Sequence, residues 1–258
     1  MSERGRLVML LVALALLCPA IWRVAWTLPA FGAPTSLYGQ TVNELLPGLR
    51  NVSNMVAAVN FDVRGIDTVG EELMLLAATT GATVLLRGRR GETLTERAGR
   101  TPGRPTIDRA DATVLLSRIG AVTLLLFGIY VVLHGTVTPG GGFQGGVVIA
   151  SALLLVFLGE GYPAWRRIAR GPVLAAIEGG GAAAFVGAAL LPLAMGHPAL
   201  ANILPLGTWK DLYSGGLIVV TNLAVGMAVT GSFGLILLEF LEETRAPEDD
   251  DVPDEADR

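Results

Sequence analysis

Apolar residues run through this chain in long blocks, and the polar positions fall between the blocks rather than within them. Residues 7–28, 67–86, 112–133, 143–160, 172–193 and 212–238 are each close to the roughly twenty residues needed to cross a bilayer as a helix. The pattern predicts an all-α polytopic membrane protein with about six spans. The first block follows Arg4 and Arg6 and carries Arg23 near its far end, where a long side chain snorkels to the interface. No small-x-small cleavage site follows it cleanly, so an uncleaved first span is expected rather than a signal peptide. Residues 29–60 are punctuated by Pro and Gly and carry Tyr38, Asn43, Glu44 and Arg50, which predicts an extramembrane segment. The last block, free of charge from 212 to 238, is long enough to tilt or to begin in the interface.

The third and fourth blocks meet at Thr138-Pro139-Gly140-Gly141-Gly142-Phe143-Gln144-Gly145-Gly146. Proline removes a helical N–H and successive glycines favour non-helical backbone, so one continuous helix is excluded. Exposed polar backbone at membrane depth persists only where protein buries it or water reaches it. The stretch therefore predicts a packed or water-lining turn in a helical hairpin, with a short surface turn as the alternative.

The second block is uncharged only over residues 73–86, too short to span, and reaches full length by including Asp67, Thr68, Glu71 and Glu72 in its first turns. Two roles fit these acids. Asp67 or Thr68 can cap the helix while Glu71 complements the macrodipole, or the carboxylates face an ion. Glu178 lies six residues into the fifth block beside Gly179-Gly180-Gly181. A carboxylate there must be paired, protonated or hydrated, which makes it a candidate site, with Arg118 in reach if the two spans are neighbours. His134, after the third block, is either a proton-handling group or a hydrated interfacial side chain. Small residues repeat at i+4 in Gly142, Gly146 and Ala150, in Gly179, Ala183 and Gly187, and in Asn222, Gly226, Thr230 and Gly234. Such stripes let membrane helices approach closely, and the last is expected to face a protein partner.

Composition agrees: 52% of the 258 residues are hydrophobic and the mean hydropathy is +0.55. The formal charge of −4 misleads, because residues 239–258 hold ten acids and two arginines, leaving seventeen Lys and Arg against thirteen acids elsewhere. That acidic, Pro-broken run predicts a solvated disordered tail over 241–258. Arg4, Arg6, seven arginines between 87 and 109, and Arg166, Arg167 and Arg170 would share one side of a six-span topology, against Arg50, Arg64 and Lys210 on the other. This bias predicts both termini in the cytoplasm. The single Cys18 forms no internal disulfide, and Leu17 and Pro19 around it argue against lipidation. No basic patch interleaved with aromatics suggests nucleic acid, and neither a metal-ligand cluster nor a nucleophile-base constellation suggests an enzyme. No cofactor is expected.

His134-Gly135-Thr136-Val137-Thr138-Pro139-Gly140-Gly141-Gly142-Phe143-Gln144-Gly145-Gly146, followed by an alanine-rich span, resembles the signature of the B-type subunits of Mrp (Mnh) multisubunit sodium/proton antiporters. Tyr213-Ser214-Gly215-Gly216 and Asn222-Leu223-Ala224-Val225-Gly226 are similar to that family's last helix. The family commonly has a Gly-His pair before the glycines, and Thr136 stands here in the histidine place. Phe61-Asp62-Val63-Arg64-Gly65-Ile66-Asp67-Thr68-Val69-Gly70-Glu71 resembles a segment near the C-terminus of the large A-type subunits and in E-like subunits of membrane-bound hydrogenases, with Val63 and Ile66 in place of aromatics. The resemblance implies an E-like module over 1–95, a cytoplasmic linker over 96–111 and a B-like module over 112–240. It implies an accessory subunit, in the cell (inner or plasma) membrane, of an Na+/H+ antiporter with large A- and D-like and small C-, E-, F- and G-like partners. Asp67, Glu71 and Glu178 are then candidate ion-path groups, with His134 nearby and Asp62 and Arg64 as an outer electrostatic pair. Pro139, Gly140, Gly141, Gly142, Gly145 and Gly146 form the structural motif. The equivalent subunit of a redox-driven hydrogenase-like complex, or a purely structural membrane scaffold, is the alternative.

Overall fold

The computed structural model describes residues 3–28, 36–90 and 110–243. The expected linker over 96–109 and the acidic tail from 244 lie outside the described residues. Six of the described helices are long and apolar enough to cross a membrane, which makes this a multi-pass membrane protein. The chain divides into two compact units, Met1–Glu44 and Leu45–Arg258.

In the first unit, α1 (Glu3–Trp26) contains Pro19 and leaves its leucines and valines exposed, as expected of a helix solvated by lipid. Helix α2 (Leu37–Arg50) begins in this unit and has 14 residues, too few to span, which agrees with an extramembrane reading of that segment.

The second unit is organised on its last helix. A short α3 (Met55–Ala58) is capped by the Asn54 side chain, which accepts the Val56 N–H, and runs into a π-helical turn, Val59–Val63. Then come α4 (Gly65–Arg90), α5 (Asp111–Leu133), α6 (Gly142–Glu160), the short α7 (Tyr162–Ile168), α8 (Gly171–Ala194) and α9 (Leu217–Glu243). Helix α9 packs against α4, α6 and α8, and α6 also packs against α5. Leucine gains nothing by leaving lipid for another helix, so close backbone approach has to hold such a bundle. Gly142 and Gly146 on α6 meet Asn222, Val225, Gly226 and Val229 of α9, while Gly145 meets Gly128 and Val132 of α5. Trp165, Ala169, Leu174, Leu235 and Leu238 form a buried cluster where α7 meets α8 and α9.

Several sequence expectations change. The final helix starts at Leu217, not at residue 212, because Gly215 and Gly216 adopt positive φ and Asn202 holds the entry. The Asn202 Oδ1 accepts the Leu217 N–H at 2.8 Å and its Nδ2 donates to the Gly215 carbonyl at 2.8 Å. Helix α9 also extends through residues 241–243, so the tail cannot begin at 241. Asn222 and Gly226 meet α5 and α6, and Gly234 meets Leu174 of α8, so the stripe expected to face another protein is used within the chain. The reverse holds on α8. Gly179 and Gly187 face open space, and the packed face is Leu174, Glu178, Gly181 and Phe185.

Candidate functional site

Helix α5 ends at Leu133 and α6 begins at Gly142, and residues 134–141 between them run as turns. Gly140 and Gly141 have φ of 137° and 148°, values that only glycine adopts without strain. Each break in a helix strands backbone donors and acceptors. Here two asparagines satisfy them. Asn222 of α9 accepts the Gly142 N–H with Oδ1 and donates to the Val132 carbonyl with Nδ2, joining both ends of the hairpin. From the other side, Asn54 Nδ2 donates to the Gly135 carbonyl at 2.7 Å, with Thr138 and Gly140 carbonyls at 3.1 and 3.2 Å. The backbone N–H groups of Ser53 and Asn54 both reach the Thr136 carbonyl, and the Ser53 hydroxyl donates to the Val137 carbonyl. The Thr136 hydroxyl itself is buried and has no hydrogen-bond partner among the described residues.

This locked turn forms one wall of a cavity of about 40 Å³. Gly140, Gly141, Gly142 and Gln144 line it from the hairpin, Asn60 and Phe61 from the π-helical turn, and Thr68, Glu71 and Glu72 from α4. The fold thus joins the two stretches of the sequence that carry the most unusual polarity. Thr68 is not a cap: α4 begins three residues earlier, and the Thr68 hydroxyl donates to the Asn60 carbonyl at 2.7 Å, fastening α4 to the π-helical turn. Asp67 is not the N-cap either, but lies in the first turn of α4.

Glu71 is exposed, whereas Glu72 beside it is only 7% exposed. Sequence reasoning singles out Glu71 and misses Glu72. A signal for Glu72 is present, since Gly65, Thr68, Glu72 and Thr79 follow helical spacing and all are buried along one face of α4.

The remaining candidates are dispersed. Asp62 does not pair with Arg64; the Arg50 guanidinium donates to Asp62 at 2.6 Å, and Arg64 pairs with Asp67 one turn on. Arg118 does not reach Glu178 but binds Glu160 with two hydrogen bonds of 2.8 Å. Buried Glu178 instead accepts from the Ser232 hydroxyl at 2.6 Å, where Gly231 lets α9 approach the Glu178 backbone. His134 stacks on Tyr130 with ring centroids 3.9 Å apart, and its Nδ1 lies 3.0 Å from the Tyr130 carbonyl. It does not line the cavity. Among the described residues, no group of three or more His, Cys, Asp or Glu side chains is placed to hold a metal ion.

Comparison with known proteins agrees with this arrangement. The family model for a domain related to the MnhB subunit of Na+/H+ antiporter matches residues 112–235. An uncharacterised protein of Methanocaldococcus jannaschii is 28% identical over 247 residues, covering 84% of this chain and 90% of that protein. The B-type subunit of the Na(+)/H(+) antiporter of Alkalihalophilus pseudofirmus is 48% identical over 44 residues, which are 17% of this chain and 31% of that protein. A chain of the membrane-bound sulfane sulfur reductase, an archaeal respiratory membrane complex, superposes with a TM-score of 0.71 at 27% identity, over 92% of this chain and 99% of that one. A chain of the Mrp complex from Dietzia sp. DQ12-45-1b shares the fold, with a TM-score of 0.73 at 21% identity over 96% of this chain and 27% of that one. Residues 112–235, which hold the glycine turn and the last helix that clamps it, are thus similar to domains related to the MnhB subunit of Na+/H+ antiporters.

Proposed function

We propose that this chain is an accessory membrane subunit of a multisubunit monovalent cation/proton antiporter of the Mrp type. The observation that carries the reading is the match of residues 112–235 to the MnhB-related family. In this reading an E-like module over 1–95, carried by the resemblance of residues 61–71, is joined by a linker at 96–111 to a B-like module over 112–240, and Asn54 of the first fastens to the glycine turn of the second. In this reading the chain assembles with large A- and D-like and small C-, E-, F- and G-like subunits. Both termini face the cytoplasm, in keeping with the arginine bias. The Pro139 to Gly142 turn is the break between the third and fourth spans.

Of the ion-path candidates Asp67, Glu71, Glu178, Asp62, Arg64 and His134, Glu71 alone lines the cavity. Glu71 is favoured among them, because it lines the cavity and has an exposed side chain. A second reading, the equivalent subunit of a redox-driven respiratory complex, is supported by the 27% identity to a chain of the sulfane sulfur reductase complex.

Purification in mild detergent tests the two. Copurifying A- and D-like antiporter subunits, with Na+/H+ exchange in vesicles, are expected. Copurifying hydrogenase-like or ferredoxin-oxidising subunits would replace the first reading with the second, and a stable isolated chain that exchanged Na+ for H+ alone would remove both.

A further inference from the structure

Glu72 is buried without a counterpart. Its side chain is 7% exposed, lines the cavity, and has neither a hydrogen-bond nor an ion-pair partner among the described residues. Glu160 and Glu178, by contrast, are held by Arg118 and Ser232. An unpaired carboxylate inside a membrane protein is neutralised by a proton or by a cation, because the bare charge is too costly there. Among the described residues, no Lys, Arg or His lines the cavity.

A proton alone would need no space. The cavity of about 40 Å³ exceeds the roughly 10–15 Å³ that one water requires. Its lining residues carry hard oxygen groups: the carboxylates of Glu71 and Glu72, the Thr68 hydroxyl, and the side-chain amides of Asn60 and Gln144. The Thr68 hydroxyl spends its proton on Asn60, which leaves its lone pairs for a ligand. Irregular backbone beside a broken helix is a recurrent place for monovalent cations in membrane transport proteins. A divalent ion would demand a fuller shell of oxygens and more negative charge than one buried carboxylate provides. The first turn of α6 belongs to the same wall; its dipole favours the ionised carboxylate and opposes a bare cation, which is why the cation there is partly hydrated and held on the carboxylate.

We propose that the cavity between α4 and the glycine turn binds a partly hydrated monovalent cation in exchange for a proton on Glu72, with exposed Glu71 at its mouth. Cation entry sends the Glu72 proton to water and cation exit takes one back, so the buried charge stays balanced. The other elements facing Glu72 across the cavity, α3, the π-helical turn, α6 and α9, bring no titratable side chain to its lining. The physiological role rests on the antiporter reading; the site itself does not.

The test is labelling of the intact purified complex with dicyclohexylcarbodiimide, which forms a stable acylurea on protonated buried carboxyls, mapped by peptide mass spectrometry. Glu72 is expected to be labelled and sodium chloride, unlike choline chloride, to suppress the label. In the pH range where Glu72 is protonated without cation, one-for-one competition requires the sodium concentration for half protection to rise about tenfold per unit fall in pH. Potassium protecting in place of sodium would support the site with another alkali cation. An unlabelled Glu72, or label indifferent to alkali cations, overturns the proposal. So does a Glu72→Gln complex that retains full exchange per assembled complex. Protection of Glu72 in a complex lacking Na+/H+ exchange would sustain the site and reject the antiporter reading.

Discussion

Asn222 on α9 accepts the N–H of Gly142, the first residue of α6, at 2.7 Å, while the same amide donates to the Val132 carbonyl near the end of α5 at 2.7 Å. One side chain thereby closes both ends of a broken hairpin in a buried position, and its geometry sets the wall of the cavity.

Replacing Asn222 by Leu strands the buried Gly142 N–H, worth about 1–3 kcal/mol when left unpaired, and leaves the Val132 carbonyl only its longer bond from the Gly135 N–H. Asn222→Leu is expected to lower the thermal transition of the complex in detergent markedly. Asn222→Asp keeps the acceptor for Gly142 and, when protonated, a donor to Val132, so at acid pH its transition should fall between those of the Leu variant and the unmodified complex. Equal effects of both substitutions would show that the hydrogen bonds do not hold the hairpin.

The contrast between two glycines tests how α6 and α8 are used. A Cβ on Gly142 would strike the Asn222 carbonyl oxygen and the Gly226 nitrogen, both backbone atoms of α9, whereas one on Gly179 meets nothing within 4 Å. Gly142→Ala is expected to cost about 1–3 kcal/mol, as overpacking does where backbone has to shift. Gly179→Ala should leave the fold of this chain unchanged. Circular dichroism melts of the two variants, prepared side by side, check the ordering.

Much of the fold is legible because depth in a membrane is a one-dimensional property. Hydropathy and length locate the six spans, and the error at residues 212–216 arises where Tyr213, Ser214, Gly215 and Gly216 are uncharged yet the two glycines bend with positive φ. Azimuth is harder. Glu71 and Glu72 have nearly the same depth but lie about 100° apart around α4, and only the 3–4 spacing of Gly65, Thr68 and Glu72 separates them. Charge partners are harder still: Arg50 with Asp62 and Arg118 with Glu160 join different elements, and nothing local distinguishes these pairs from Asp62 with Arg64 or Arg118 with Glu178. Asn222 is visible as part of a small-residue stripe, but its clamp on the hairpin requires α5, α6 and α9 to be in place.

Arg50 and Arg64 provide a comparison of buried and exposed pairing. The Asp62 side chain is 7% exposed and faces Arg50, while Arg64 and Asp67 are 63% and 46% exposed. Arg50→Met leaves a carboxylate enclosed without its cation, at a cost of about 1–3 kcal/mol or more. Arg64→Met removes a surface pair worth at most about 1 kcal/mol. Thermal melts at low and high salt should show a large, weakly salt-dependent loss for the first and a small, salt-sensitive one for the second.

Glu178 offers the sharpest separation of packing from transport. Its carboxylate accepts the Ser232 hydroxyl at 2.6 Å where α8 and α9 lie close together, and a glutamine can keep that contact through its amide oxygen. If the carboxylate serves the helix interface, Glu178→Gln should assemble normally and exchange cations at the unmodified rate per assembled complex. Ser232→Ala should then destabilise the α8 to α9 contact by about 0.5–1.5 kcal/mol, the net worth of an ordinary hydrogen bond. If Glu178 carries protons, the order reverses: Glu178→Gln abolishes exchange in an assembled complex, because an amide does not titrate, while Ser232→Ala retains exchange with a displaced pH profile. Vesicle exchange across a pH series, normalised to assembled complex, decides between them. Because Glu178 has a hydroxyl partner and does not line the cavity that holds Glu72, the expected outcome is retained exchange in Glu178→Gln.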